Sequence, residues 1–248
     1  MNNDHTSDQR LSEESRTDRP VLIGCAHGTR EPAGQQVIRD LLDAVRESLG
    51  VEVRDAYVDV QDPKVDVVVA GIEANSPGAG PAAIVVPLLL GGGYHVYVDI
   101  AKAIEGRPDV VAAPALGPDE RLIDIVLERV RHAGVPETAT LVLAAAGSSD
   151  PRSQADTEAA ADMLRVHWGG PVRVGYAAGI KPSVAEAVVA ARVHGEDMEV
   201  AVASFLLSPG FFQGRIEEAG ADHFTGPLAP HPLLLDIIAD RYREASGA

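Results

Sequence analysis

Residues 21–30 read VLIGCAHGTR, an apolar run typical of a buried strand that is followed at once by a histidine, a glycine and polar residues. Further short apolar runs alternate with helical patterns along the rest of the chain. The first helical pattern has apolar residues at intervals of three and four from Val37 to Leu49 and ends at Gly50. Strands apolar on both faces that alternate with helices are typical of a parallel sheet between helices. The sequence therefore predicts an α/β fold.

The order of strands and helices occurs twice in the chain. The segment 26–30 corresponds to 145–149, 119 residues later, and 57–65 corresponds to 176–184 at the same offset. Such regularity indicates an internal duplication. We predict strands at Val21–Ala26, Val51–Val58, Ala82–Leu88 and Val110–Ala115 in the first half, and at Leu141–Ala146, Val172–Tyr176, Val200–Leu207 and near Phe224–Leu228 in the second.

The predicted organisation is a polar, disordered tail over residues 1–19, followed by two half-domains at 20–134 and 139–248. They join near Gly134–Ala139, where Pro136 ends the preceding helix. We expect the first half to hold the active site and the second half to be a degenerate repeat of it.

The composition is typical of a globular protein and argues against a nucleic-acid-binding or membrane-spanning one. The 248 residues are 46% hydrophobic and 23% charged, with a mean hydropathy of +0.02, as in a water-soluble globular protein. The net charge of −16 disfavours nucleic-acid binding, and no apolar run is long enough for a membrane span. The single cysteine, Cys25, lies inside an apolar strand, so we predict a core residue and a reducing, cytoplasmic location.

Residues that differ between equivalent positions point to chemistry, because the scaffold alone does not require them. Imidazoles and a carboxylate suit a first-row divalent metal, and a neutral imidazole can also accept a proton. Ligands bind at the carboxyl ends of strands in open α/β sheets, where these residues are predicted to lie. Taken singly, each histidine also fits an ordinary loop residue, and the aspartate fits a helix cap. The candidates are His27, Asp59 and His95, which correspond to Ala146, Ala178 and Phe212.

The run Gly91–Gly93 precedes His95. We expect it to give the backbone positive-φ freedom and to let a bulky planar ligand approach closely, although a flexible loop is an open alternative. The run lacks the features of a P-loop or a dinucleotide fingerprint, so neither ATP nor NAD is indicated.

Three motifs together resemble the class II chelatases, and most closely the sirohydrochlorin chelatase group: 27–30 (HGTR), 57–63 (YVDVQDP) and 86–96 (VPLLLGGGYHV) with 99–100 (DI). The resemblance implies two flavodoxin-like halves that face one another with a tetrapyrrole between them. It implies insertion of a divalent metal, Fe²⁺ or Co²⁺, into sirohydrochlorin without ATP and with release of two protons. The metal is then a substrate, no cofactor is permanently bound, and we expect a monomer. A Pro-His-Pro common in the family is Pro118-Asp119-Glu120 in the first half and Pro230-His231-Pro232 in the second.

The resemblance assigns roles to the candidates. His27 and His95 become metal ligands and proton acceptors, and Asp59 binds the metal or orients a histidine. Arg30 and the glycines Gly91, Gly92 and Gly93 become contacts for the periphery of the substrate, although Arg30 fits equally an ion pair with a neighbouring acid. Two other functions stay open: a metal or tetrapyrrole carrier without catalysis, and an interaction protein with an acidic surface.

Overall fold

The computed structural model describes residues 19–76, 78–194 and 198–247. Within these ranges, two four-stranded parallel sheets follow one another along the chain, with strand orders β2-β1-β3-β4 and β6-β5-β7-β8. The strands are β1 (Val21–Ala26), β2 (Val53–Tyr57), β3 (Ala83–Pro87), β4 (Val110–Ala112), β5 (Thr140–Ala145), β6 (Val172–Tyr176), β7 (Val200–Phe205) and β8 (His223–Phe224). The helices are α1 (Pro32–Leu49), α2 (Val65–Ala70), a π-helix (His95–Ile100) continued by α3 (Ala101–Ala103), α4 (Glu120–His132), α5 (Pro151–His167), α6 (Val184–His194), α7 (Phe211–Glu217) and α8 (Pro232–Ser246).

The predicted strands are found, and several are shorter than predicted, with the largest differences at the edge strands β4 and β8. β4 ends at Ala112 because Pro114 follows closely and has no N–H for a sheet hydrogen bond. β8 ends at Phe224, shortly before Gly226 and Pro227. The error lies at the ends of the strands, where turn residues decide the boundary.

The internal duplication is visible in matching hydrogen bonds as well as in strand order. The side-chain amide of Gln35 donates to the carbonyl oxygen of Thr29 at 2.8 Å. Its counterpart Gln154 donates to the carbonyl oxygen of Ser148 at 3.1 Å. The loops after β1 and β5 are therefore held in the same way, and the predicted α/β fold with two tandem halves is confirmed.

A shared hydrophobic core joins the two halves. Helices α1, α4, α5 and α8 pack between the sheets, with α1 against α8 and α4 against both α5 and α8. The core takes in Leu22 of β1, Leu141 of β5 and Ile238 of α8. Separate buried clusters cover the outer face of each sheet, around Ile23 in the first half and Val142 in the second. Each half therefore completes the core of the other.

The ends of the described chain are tied to this core. Arg19 donates to the carbonyl oxygens of Leu49 and Gly50 at 3.0 and 2.8 Å, so this residue belongs to the folded part and not to the predicted tail. The rest of that predicted tail, residues 1–18, lies outside the described residues. The hydroxyl of Tyr242 in α8 donates to the carbonyl oxygen of Pro20 at 2.7 Å.

In residues 19–76, 78–194 and 198–247, no helix has both the length and the apolar character that crossing a bilayer requires.

Candidate active site

A cleft of about 930 Å³ lies between the two halves. Its walls come from the loops that follow β1, β2 and β3 in the first half and β5, β6 and β7 in the second. The carboxyl ends of six parallel strands thus meet at this cleft, which is where an open α/β sheet binds its ligands.

The two histidines that the sequence singled out meet in this cleft. His27 follows β1 and His95 follows β3, and these strands are neighbours in the sheet. Their ring centroids lie 4.8 Å apart, with the ring planes at 88°. Parallel pairing of β1 with β3 therefore places two imidazoles side by side at one edge of the sheet.

Hydrogen bonds at Nδ1 determine which nitrogen of each ring faces a ligand. His95 Nδ1 lies 2.7 Å from Oδ2 of Asp99, and His27 Nδ1 lies 3.2 Å from the carbonyl oxygen of Gly28. An ionised carboxylate and a carbonyl oxygen only accept, so both Nδ1 atoms donate, and Nε2 is the nitrogen that carries the lone pair whenever the ring is neutral. In that form each imidazole can bind a metal or accept a proton through Nε2.

Asp99 is the functional residue to which sequence reasoning gave no role. It lies four residues after His95 on the π-helix, and both side chains are about one-third exposed, at 32% and 34%. A histidine and an acid at this spacing share a helix face, which was the available signal.

Asp59 occupies a different environment from the one predicted. It is exposed and is not among the residues that line the cleft. Its backbone N–H donates to the carbonyl oxygen of His27 at 3.1 Å, and Lys64 donates to its backbone carbonyl. The neighbouring Gln61 lines the cleft instead, and its Oε1 accepts from the backbone N–H of Thr29 at 3.3 Å. The metal role of Asp59 stays a prediction.

The glycine run serves close packing. The expectation of positive φ was wrong: Gly91–Gly93 all keep φ outside the left-handed region. A Cβ on Gly92 would lie 2.6 Å from the hydroxyl of Tyr97, and the N–H of Gly92 donates to Asp156 of α5 at 2.7 Å. Absence of side chains here lets the loop approach both the π-helix and the second half. Gly91 and Gly93 line the cleft.

A second contact fastens the π-helix to the other half. The guanidinium carbon of Arg152, in α5, lies 3.7 Å from the ring centroid of Tyr97. Asp150 holds this guanidinium with an ion pair of 2.7 Å. The helix that carries His95 thus rests on the second half through a cation–π contact.

Charge in the cleft is sparse. Arg30 is exposed and is the single Lys or Arg among the described residues that line the cleft. Cys25 of β1 is fully buried in the outer cluster of the first sheet, as predicted for a core residue. Burial, together with the charge of Asp99, raises the pKa of the Cys25 thiol to about 12 and keeps it protonated.

Among the described residues, the second half contributes no histidine to the cleft lining. Ala146 and Phe212 stand where the first half has His27 and His95. His231 lies outside the cleft lining: it caps α8 through Leu233 N–H at 3.2 Å, and its Nε2 lies 3.1 Å from Glu128.

No group of three or more His, Cys, Asp or Glu side chains in the described part of the chain is arranged to hold a metal ion. His27 and His95 together supply two nitrogen ligands, which is fewer than the four of a tetrahedral site.

Comparison with known proteins fits this geometry. The family model CbiX matches residues 21–133 and 140–245, one match in each half. The chain belongs to the CbiX family. The resemblance to sirohydrochlorin chelatases inferred from the three motifs is thereby confirmed.

Curated proteins similar to this chain are named as sirohydrochlorin chelatases. A sirohydrochlorin ferrochelatase of Priestia megaterium is 26% identical over 208 residues, covering 80% of this chain and 76% of that protein. A sirohydrochlorin cobaltochelatase of Sulfolobus acidocaldarius is 25% identical over 115 residues, covering 45% of this chain and 90% of that protein. SirB from Bacillus subtilis, solved with Fe³⁺, has the same fold, with a TM-score of 0.73 at 22% identity and coverage of 92% of this chain and 96% of that one.

Proposed function

We propose that this protein is a sirohydrochlorin chelatase that inserts a divalent metal, Fe²⁺ or Co²⁺, into sirohydrochlorin. The observation that carries the proposal is the pair of imidazoles, with ring centroids 4.8 Å apart, at a cleft of about 930 Å³ between two halves. The names of the relatives point to the same reaction.

The reaction exchanges two protons for one metal ion. The free macrocycle carries two N–H groups, and both protons leave as its four nitrogens bind M²⁺. The Nε2 atoms of His27 and His95 are suited to both tasks, since a neutral imidazole binds the metal and, once the metal has moved to the macrocycle, accepts a proton. The second product is therefore a pair of protons that pass from the imidazoles to water.

Asp99 supports this exchange at His95. Its carboxylate accepts the Nδ1 proton at 2.7 Å, which fixes the orientation of the ring and leaves Nε2 facing the cleft side of the pair. When His95 accepts a proton, the same carboxylate stabilises the imidazolium. We assign to Asp99 the orienting role that the sequence gave to Asp59.

Arg30 and the glycine loop are the proposed contacts for the substrate's periphery. Sirohydrochlorin is rich in carboxylates, and a protein of net charge −16 repels it at long range. Arg30 at the cleft supplies a local positive charge that can pair with a substrate carboxylate.

One active site per chain is expected, because the second half has Ala146 and Phe212 in place of the histidines. The two halves close the cleft within one chain, so we propose a monomer. Light scattering of the purified protein tests the monomer. Titration with sirohydrochlorin tests the single site, since a stoichiometry near two per chain contradicts it.

The deciding experiment is an anaerobic metallation assay without ATP. Sirohydrochlorin is mixed with Fe²⁺ or Co²⁺, with and without catalytic amounts of protein, and the absorption spectrum of the macrocycle is followed. We expect the protein to accelerate insertion and to turn over many times. Equal rates with and without protein overturn the proposal, and tight binding of sirohydrochlorin without acceleration identifies a carrier.

A further inference from the structure

Two exposed aromatic side chains mark opposite walls of the cleft. Tyr94 is 55% exposed and Phe211 is 68% exposed, and both line the cleft. Aromatic residues make up only 4% of the chain, and Tyr57, Trp168 and Tyr242 among them are buried. Exposing large apolar rings to water is unfavourable, so their position at a cleft points to a ligand that covers them.

The two rings occupy equivalent positions in the duplicated fold. Phe211 follows Tyr94 by 117 residues, the same offset that relates Phe212 to His95. In each half the exposed ring packs edge-on against the next ring in sequence, with centroids 6.1 Å apart for Tyr94 and His95 and 5.7 Å apart for Phe211 and Phe212. The exposed aromatic ring is present in both halves, whereas the histidine is present in one. Its role is therefore separate from metal chemistry.

A conjugated macrocycle is the ligand that such rings suit. Its faces are apolar and polarisable and its carboxylates lie at the edge, so aromatic side chains contact the face while polar groups meet the edge. Tyr94 is in ring contact with His95, so a macrocycle held against Tyr94 lies next to the proposed metal ligand. Phe211 offers an equivalent apolar surface from the other half.

We infer that Tyr94 and Phe211 are substrate-binding residues that hold the face of the tetrapyrrole, one from each half of the protein. This inference rests on the proposed function. It assigns to the second half a direct contact with substrate in addition to closing the cleft.

The test measures the dissociation constant for metal-free sirohydrochlorin, from its absorption change, in the full chain. Tyr94→Ala and Phe211→Ala are each expected to raise this constant about tenfold, and the double variant about a hundredfold, because stacking on one ring contributes about that factor. Tyr94→Phe and Phe211→Tyr keep the ring and should stay within about threefold of the original protein. Binding of Co²⁺ alone should not change in any of these variants.

Phe224→Ala is the matched control, since Phe224 is also exposed, at 51%, but lies on β8 and outside the cleft lining. Circular dichroism verifies the fold of each variant. If the unaltered protein binds sirohydrochlorin and inserts metal while both alanine variants bind it equally well, the inference is overturned and the proposed function stands. If the unaltered protein neither binds nor metallates sirohydrochlorin, both fall together.

Discussion

The π-helix of the first half and α7 of the second occupy equivalent places in the fold and carry different chemistry. His95 and Asp99 form a hydrogen-bonded pair on the π-helix. At the equivalent positions α7 has Phe212 and Ile216, and Ile216 is buried against its sheet. Equivalent helices thus bring His95 to the cleft in one half and Phe212 in the other.

Polar groups of α7 point inward instead. Gln213 is buried, accepts from the hydroxyl of Ser204 at 2.8 Å and donates to the carbonyl oxygen of Thr225 at 3.0 Å. A fully hydrogen-bonded buried network makes a rigid wall. The two halves of the duplicated fold therefore differ in what they bring to the cleft. The first half contributes the histidines, and the second contributes a rigid wall without them among its described residues.

We expect the largest effect on activity when the two cleft histidines of the first half are replaced by an apolar residue, as in the second half. We expect His27→Ala and His95→Ala each to lower kcat/KM for metal insertion by a factor of about 10²–10⁴, since each removes a ligand and a general base. Ala146 and Phe212 show that the fold accepts apolar residues at these places. The measurement is the anaerobic metallation rate.

His132→Ala, an exposed histidine on α4, is the control and should retain full activity. Near-normal turnover in both active-site variants, with unchanged circular dichroism, would remove the histidines from the mechanism.

The second-largest expected effect concerns Asp99 and Asp59, the two candidates for orienting a histidine at the cleft. Asp99→Asn should lower kcat about 10- to 100-fold, because the amide loses the charge that holds and polarises His95. Asp59→Asn should change kcat by less than about twofold, since Asp59 is exposed and outside the cleft lining. Steady-state kinetics on the two variants decides the assignment. A loss in Asp59→Asn as large as that in Asp99→Asn would support the role predicted from sequence.

A third test exchanges residues at the contacts between the halves. Gly34 in α1 corresponds to Ser153 in α5, and a Cβ on Gly34 would lie 2.3 Å from the backbone oxygen of Pro209. Gly34→Ser should therefore reduce the free energy of unfolding by about 1–3 kcal/mol through overpacking. The reverse exchange, Ser153→Gly, should cost no more than about 1 kcal/mol as a helix-propensity effect. Urea denaturation measures the free energy of unfolding of both variants. A Gly34→Ser variant as stable as the original protein would show that the contact with Pro209 adjusts without strain.

The smallest expected effect is on stability and concerns the residues that cap the N-termini of α4 and α8. Asp119 caps α4 where His231 caps α8. Burial alone would raise the pKa of Asp119, but hydrogen bonds from Arg121 and the charges of Arg121 and Arg241 outweigh it and lower this pKa below its ordinary value of 3.8. Folding therefore favours the charged carboxylate. Its stabilising contribution is present above about pH 4 and is lost as pH falls through the lowered pKa of the folded state.

The measurement is the urea midpoint of the original protein and of Asp119→Asn between pH 3 and 7. We expect the gap between the two to be constant at neutral pH and to narrow below about pH 4. Glu120→Gln, an exposed acid in the same turn, is the control for loss of charge alone. A gap that does not depend on pH would exclude the Asp119 ion pairs as its source.

Much of the fold could be predicted from the sequence, because the periodicity of apolar residues that marks strands and helices is a local property. The duplication could be predicted because equivalent segments are separated by a nearly constant number of residues. Val21–Ala26 was predicted to the residue. The meeting of His27 and His95 was predictable as well, since both follow strands of one parallel sheet. The contact of Asp99 with His95 was also predictable in principle, because their spacing of four residues places both on one face of a helix. The backbone of Gly91–Gly93, in contrast, depends on Asp156, which lies far from it in sequence, and on Tyr97 of the π-helix.

The hydrogen bond from Tyr242 to Pro20 brings the last helix beside the entrance to β1, so the folded chain nearly closes into a ring. The connection between the halves, in contrast, is exposed from Pro136 to Thr138. The order of the halves along the polypeptide is therefore interchangeable in principle. We expect a circular permutant that is opened at this connection and joined near Pro20 to keep the shared core and the cleft.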